Sequence, residues 1–274
     1  MATVIDFRVR PGTKKVLEAM SPDGKVPKGT NRWGHQSPEA SSLDDFVKSL
    51  DAHGIDKIVF TGRQRYLDGK NGGLDNDYIA DTVRQHPKRI IGFASADPAT
   101  GVRESVREIR RALEGLGLKG IAVDPFLRNL QADDRKLYPL YEVAAELGLP
   151  AVITVGPLVG QHWSDPVAID HVAEDFPTLK ILLSHGCYPQ VTELIGLAYR
   201  RKNVYLEPSL YFALPGADIF IEAAKTILQD QVIWASAFPF APLDIKDEFV
   251  KTYDLSGNLL DKILGGNAAS FLGL

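Results

Sequence analysis

The sequence predicts an α/β fold, a single-domain (β/α)8 TIM barrel, and three observations carry that reading. Eight short apolar strands recur along the chain, and segments of helical period separate them. No Gly-rich phosphate-binding turn follows the first strand, where Val9-Arg10-Pro11-Gly12 stands instead. The strands read Thr3–Val9, Lys57–Thr61, Ile90–Ala96, Gly120–Asp124, Ala151–Gly156, Lys180–His185, Val204–Pro208 and Val232–Ala237. Each is a near-continuous run of Val, Ile, Leu or Phe without polar alternation, as expected of parallel strands covered on both faces.

The helical segments follow in order. Ser42 heads Leu43–Leu50 as a capping residue, with Asp44 and Asp45 in the favourable first turn. Val102–Leu113 carries Val102, Val106, Ile109, Ala112 and Leu113 at spacings of three and four. Tyr138–Leu147 behaves similarly, and Pro166–Phe176 begins with proline at its first helical position after Ser164-Asp165. No linker or low-complexity tract divides the chain, so residues 1–274 form one domain. Residues 11–40, which contain Trp33 and His35, lack a sustained period and read as an irregular insertion or a lid after strand one.

With 274 residues, 45% of them hydrophobic and 24% charged, the chain suits one barrel of about 250 residues. A net charge of −4 gives no support for nucleic acid or an anionic membrane as a partner. The chain opens directly as a strand and lacks the order of a signal peptide. No run approaches the roughly 18 apolar residues of a membrane span. With Cys187 as the single cysteine, the expectation is a soluble cytoplasmic protein. The sequence leaves homo-oligomerisation open.

The strand ends carry a family likeness. Ile5-Asp6-Phe7-Arg8-Val9-Arg10 stands where an Ile-Asp-x-His-x-His opening occurs, and Pro150-Ala151-Val152-Ile153-Thr154-Val155-Gly156 matches a Pro-Val-x-x-His-x-Gly strand. His185-Gly186 matches a sixth-strand histidine, and Ala235-Ser236-Ala237-Phe238-Pro239 corresponds to Gly-Ser-Asp-x-Pro. Gly266-Asn267-Ala268 resembles a Gly-Asn-Ala closing helix. Together these resemble the amidohydrolase superfamily, in the amidohydrolase-related branch that holds non-oxidative decarboxylases and lactonases. The resemblance implies a barrel with a metal held by the paired histidines, the fifth-strand histidine and the last aspartate. Here those positions are Arg8, Arg10, Thr154 and Ala237. A guanidinium has no lone pair for a metal, and His185 alone does not make a site of three or four ligands. The expectation is therefore a metal-independent protein with no cofactor.

Arg8 and Arg10 lie two apart on one strand and so share a face. With Arg63 after the second strand they form a candidate clamp for a small carboxylate, and the competing reading is internal salt bridging to Asp6, Asp124 or Glu207. His185 is the candidate general acid or base, with Asp124 or Glu207 as its carboxylate partner. Thr154 and Tyr211 are candidate lining residues. Arg65, His162 and Cys187 are noted nearby, the cysteine as an inert thiol. The leading expectation is a lactonase-like hydrolase of a small carboxylated cyclic or unsaturated substrate. One alternative is a non-oxidative decarboxylase of a hydroxybenzoate-type or muconate-type acid. The other is a non-catalytic acid-binding protein on a decayed scaffold.

Overall fold

A computed structural model describes residues 3–20, 38–64, 66–67, 70–157, 159–186 and 188–274. Strands β1 (Ile5–Val9), β2 (Lys57–Thr61) and β5 (Ile90–Phe93) pair in parallel, as do β6 (Ile121–Val123), β7 (Ala151–Thr154), β8 (Ile181–Ser184) and β9 (Val204–Glu207). A bridge between Ala94 and Ile121 joins the two sheets on one side, and a bridge between Leu206 and Val232 leads to the remaining segment. A short antiparallel ribbon, β3 (Tyr66–Leu67) with β4 (Lys70–Asn71), follows β2. Helices α2 (Leu43–Ala52), α3 (Asn76–Gln85), α4 (Val102–Arg110), α5 (Tyr138–Glu146), α6 (Pro166–Asp175), α7 (Val191–Arg200) and α8 (Asp218–Lys225) cover the strands.

The expected barrel is present, with one correction. Val232–Ala237 does not form a laddered strand, although it closes the barrel. On one side Leu206 N donates to Gln231 O and Ile233 N donates to Leu206 O. On the other, Phe7 N donates to Trp234 O at 3.4 Å and Arg10 N to Phe238 O at 3.0 Å. Between those two bonds the Ser236 N–H donates to the Asp6 carboxyl, a side chain standing where a backbone acceptor would complete the ladder. β1 and β2 end at Val9 and Thr61 as predicted, whereas β5 to β9 stop short of their predicted ends, because the chain turns out of the sheet near the residues that build the site.

Ser42 caps α2 as expected, its hydroxyl accepting from Asp45 N, and Asp165 caps α6 ahead of Pro166. The region 11–40 is not wholly irregular, since α1 (Lys14–Met20) lies within it and buries Val16 and Leu17. Trp33 and His35, and with them most of the expected lid, lie outside the described residues, as do Arg65 and Cys187.

Two apolar layers separate inside from outside. Ile5, Phe7, Val59, Phe93, Val152, Leu182, Tyr205 and Ile233 form the inner cluster, closed by Phe271 of the helix Asn267–Leu272. Phe7 meets Phe93 and Phe271 edge to face at 5.7 and 5.3 Å. Val9, Ile58, Phe60, Ile153, Leu183, Leu206 and Trp234 belong to the larger outer cluster against the helices. Among the described residues, no helix is long and apolar enough to cross a membrane.

Candidate active site

Because the barrel strands are parallel, their C-terminal ends share one face, and every candidate residue stands there. Arg8 is on β1 and Arg10 just beyond it, Arg63 follows β2, Asp124 follows β6, and Thr154 ends β7. His185 follows β8, Glu207 ends β9, and Tyr211 lies on the turn Ser209–Ala213.

The arginines have different partners. Arg63 donates to Asp124 twice, Nε to Oδ2 at 2.6 Å and Nη2 to Oδ1 at 3.3 Å, and its guanidinium lies 5.5 Å from the Phe126 ring centroid. Arg8 donates from Nη2 to Thr154 Oγ1 at 3.0 Å and comes only to 4.0 Å of Asp124. Its Nε and Nη1, and the Nη2 of Arg10, are buried with no hydrogen-bond partner among the described residues. Arg8 and Arg10 are 2% and 3% exposed, so these unspent donors are shielded from water. The expected three-arginine clamp is thus corrected to two: Arg63 is committed to Asp124, while Arg8 and Arg10 retain free donors.

The acids divide in the same way. Burial works to raise the Asp124 carboxyl, but Arg63 and Arg8 outweigh it and hold it below its ordinary value, so it is a fixed anion. Burial pushes Glu207 up to about 7, against the hydroxyl of Ser209, which donates to its Oε1. Burial likewise pushes Asp6 up to about 7, against the donors of Ser236 and the Arg8 N–H. Glu207 Oε2 and Asp6 Oδ2 have no partner among the described residues. Burial, then repulsion between guanidiniums, draws Arg10 well down, and burial draws Arg8 down to about 10.

His185 departs from expectation. Burial first, then Arg8, Arg10 and Arg63, holds it well below the ordinary histidine value, so it is a neutral imidazole rather than a group poised near pH 7. Neither expected carboxylate serves it: Asp124 is spent on Arg63, Glu207 is held by Ser209, and His185 Nδ1 is unpartnered among the described residues. Its ring meets Tyr211 edge to face at 5.5 Å. His185, Ser209 and Ala237 adopt left-handed backbone, with φ of 76°, 49° and 62°. Such conformations are costly for residues other than glycine and gather where a site is held rigid.

Sequence reasoning named Asp6 only as a salt-bridge partner and missed its hydrogen bonds. The signal lay in its position two residues before Arg8, where a carboxylate can reach the backbone N–H two residues on. His162 lies on the short turn Gln161–Ser164, and its carbonyl accepts from Gln131.

A divalent metal does not fit these residues. Among the described residues no group of three His, Cys, Asp or Glu side chains is placed to share one. The strand-one positions carry guanidiniums with unspent donors, which attract anions and repel cations.

The amidohydrolase family profile matches residues 28–274. The chain belongs to the amidohydrolase family. An uncharacterized TIM-barrel protein of Bordetella bronchiseptica superposes on 99% of this chain and 98% of its own, with a TM-score of 0.87 at 30% identity. The 2-amino-3-carboxymuconate-6-semialdehyde decarboxylase of Dictyostelium discoideum is 26% identical over 73% of this chain, which spans 65% of that protein's length. A dihydroxybenzoic acid decarboxylase of Polaromonas, solved with manganese and an inhibitor bound, shares the fold. Its TM-score is 0.70 at 20% identity, over 100% of this chain and 98% of its own. These relatives lend no support to the expectation of a hydrolase. The manganese in one of them means that metal independence finds no support in kinship and rests on this chain's own donors.

Proposed function

We propose that this amidohydrolase-family chain is a non-oxidative decarboxylase of a small hydroxybenzoate-type or muconate-type acid, working without a metal. One observation carries the reading: two buried guanidiniums, Arg8 and Arg10, hold unspent donors beside a single firmly ionised carboxylate. An unpaired buried cation is expensive, and an anionic ligand removes the cost. The decarboxylases among the relatives supply the reaction class.

The chemistry requires a proton delivered to the carbon that bears the carboxylate, then rupture of the bond to that carboxylate, with carbon dioxide leaving neutral. Glu207, whose carboxyl burial raises to about 7, is the proton donor in its protonated form, and a solvent proton restores it after carbon dioxide has left. Gripping the departing carboxylate would stabilise the ground state and slow its loss. Arg8 and Arg10 therefore act on the oxygens that stay behind, where negative charge accumulates. Thr154 holds Arg8 in place, and Tyr211 with His185 forms an aromatic wall.

A panel of hydroxybenzoates, unsaturated dicarboxylic acids and lactones tests this, with carbon dioxide and acid release followed separately. Carbon dioxide release that is abolished in Glu207→Gln supports the reading. Acid release from a lactone without carbon dioxide would restore hydrolysis. Tight acid binding without turnover would favour a non-catalytic binding protein.

A further inference from the structure

We propose that Asp6 is a positioning residue: its side chain replaces a backbone acceptor at the barrel's closing seam and fixes the register slip that turns Arg8 into the site. The slip is visible in the pairing of β1 with β2. Asp6 stands opposite Ile58 and Val9 opposite Phe60, so three steps of β1 span two of β2. Such a bulge reverses the alternation of side chains beyond it.

The two apolar layers record that reversal. Ile5 and Phe7 belong to the inner cluster with Val59, whereas Val9 belongs to the outer cluster with Ile58 and Phe60. In an unbroken strand Val9 would follow Ile5 and Phe7 inward, and Arg8 would follow Asp6. With the slip, Phe7 and Arg8 together oppose Val59, and Arg8 reaches Thr154 on the far side of the barrel at 3.0 Å.

Asp6 is the group that holds this arrangement. Its Oδ1 accepts from the Arg8 N–H at 3.4 Å, which the bulge removes from the ladder, and from the Ser236 N–H at 2.9 Å across the seam. Asp6 is fully buried, so water does not compete for either donor. Ser236 Oγ in turn accepts from Phe238 N at 2.9 Å, which ties the latch to the strand end opposite Arg10.

The test compares ligand-free crystal structures of Asp6→Asn and Asp6→Ala. Asparagine keeps the Oδ1 acceptor, so the bulge and the contact of Arg8 with Thr154 should persist. Alanine removes it, and the strand should relax toward regular register with Arg8 withdrawn from Thr154. A folded Asp6→Ala that keeps the contact, or a folded Asp6→Asn that loses it, overturns the proposal. Should alanine prevent folding, Asp6→Asn still decides.

A second readout rests on the proposed function, in which Arg8 binds the oxygens of the acid that remain after carbon dioxide leaves. With a dihydroxybenzoate as the titrant, Asp6→Ala should weaken binding at least tenfold, yet add nothing in an Arg8→Met background. Additive losses would show that Asp6 does not act through Arg8. If the unaltered protein binds none of the acid, the proposed function falls, and the crystal structures alone decide the role of Asp6.

Discussion

Asp124 accepts two hydrogen bonds from Arg63, at 2.6 and 3.3 Å, while Arg8 stops 4.0 Å away. The carboxylate is therefore hydrogen-bonded by the arginine nearer solvent and only approached by the deeper one. Asp124→Asn should cost about 2–3 kcal/mol of unfolding free energy, a value discounted because the Arg63 side chain is 28% exposed. Urea denaturation measures it, and a loss below about 0.5 kcal/mol would contradict the pairing. The same variant should bind an anionic acid such as a dihydroxybenzoate more tightly, because Arg8 and Arg63 lose their internal anion.

Stability should carry the signature of raised carboxyls. Asp6 and Glu207 both titrate near 7 in the fold, above their unfolded values. The folded state then binds more protons than the unfolded chain between about pH 4 and 7. Their contribution is complete below pH 4 and fades as pH rises through 7. Asp6→Asn and Glu207→Gln should each flatten that fall, by roughly 3 kcal/mol across the window. Denaturation series at pH 5 and 8 give the comparison, and a parallel pH response in variant and parent would refute it.

His185 works in the opposite sense. Its folded value lies well below the ordinary one, so the unfolded chain takes up the proton first as pH falls below about 6.5. Stability tied to His185 is present above that pH and is lost beneath it. Nitrogen chemical shifts of the ring should report a neutral imidazole from pH 8 down to 6. An imidazolium at pH 6 would show that an unrecognised anion faces it.

Gly156 has a φ of 109°, and a methyl group there would stand 2.9 Å from the Cβ of His185. Gly156→Ala therefore meets both backbone strain and a clash, at a cost of about 2 kcal/mol or more. A lowered melting temperature with weakened acid binding is expected. An alanine variant with the parent's melting temperature and affinity would show that the turn adapts freely.

Elemental analysis of protein purified without a chelator should find metal well below one equivalent, and chelator should leave carbon dioxide release unchanged. A tightly held equivalent that is essential for turnover would replace the arginine reading.

Much of the scaffold was legible because apolar continuity is local: strands such as Ile181–Ser184 announce themselves in four residues. The clustering of Arg8, Arg10, Asp124, Thr154 and Glu207 followed from parallel strands alone. The pairing within the cluster did not, because Arg63 and Asp124 are 61 residues apart and only the folded chain shows which cation reaches the carboxylate first. The neutrality of His185 was hidden for a similar reason, since it depends on burial beside three cations from other strands. Residues 232–237 were visible as an apolar run, but not their missing ladder, which depends on one aspartate 230 positions from Ser236.

Ala237 carries strain in its backbone. Its φ of 62° is a conformation that aspartate, asparagine and glycine tolerate far better than alanine. By the resemblance of Ala235–Pro239 to a Gly-Ser-Asp-x-Pro strand end, an aspartate would stand at this position, and it would occupy the turn with less strain than alanine. An Ala237→Asp substitution would meet a backbone already suited to it, one residue before Phe238, whose carbonyl accepts from the Arg10 N–H.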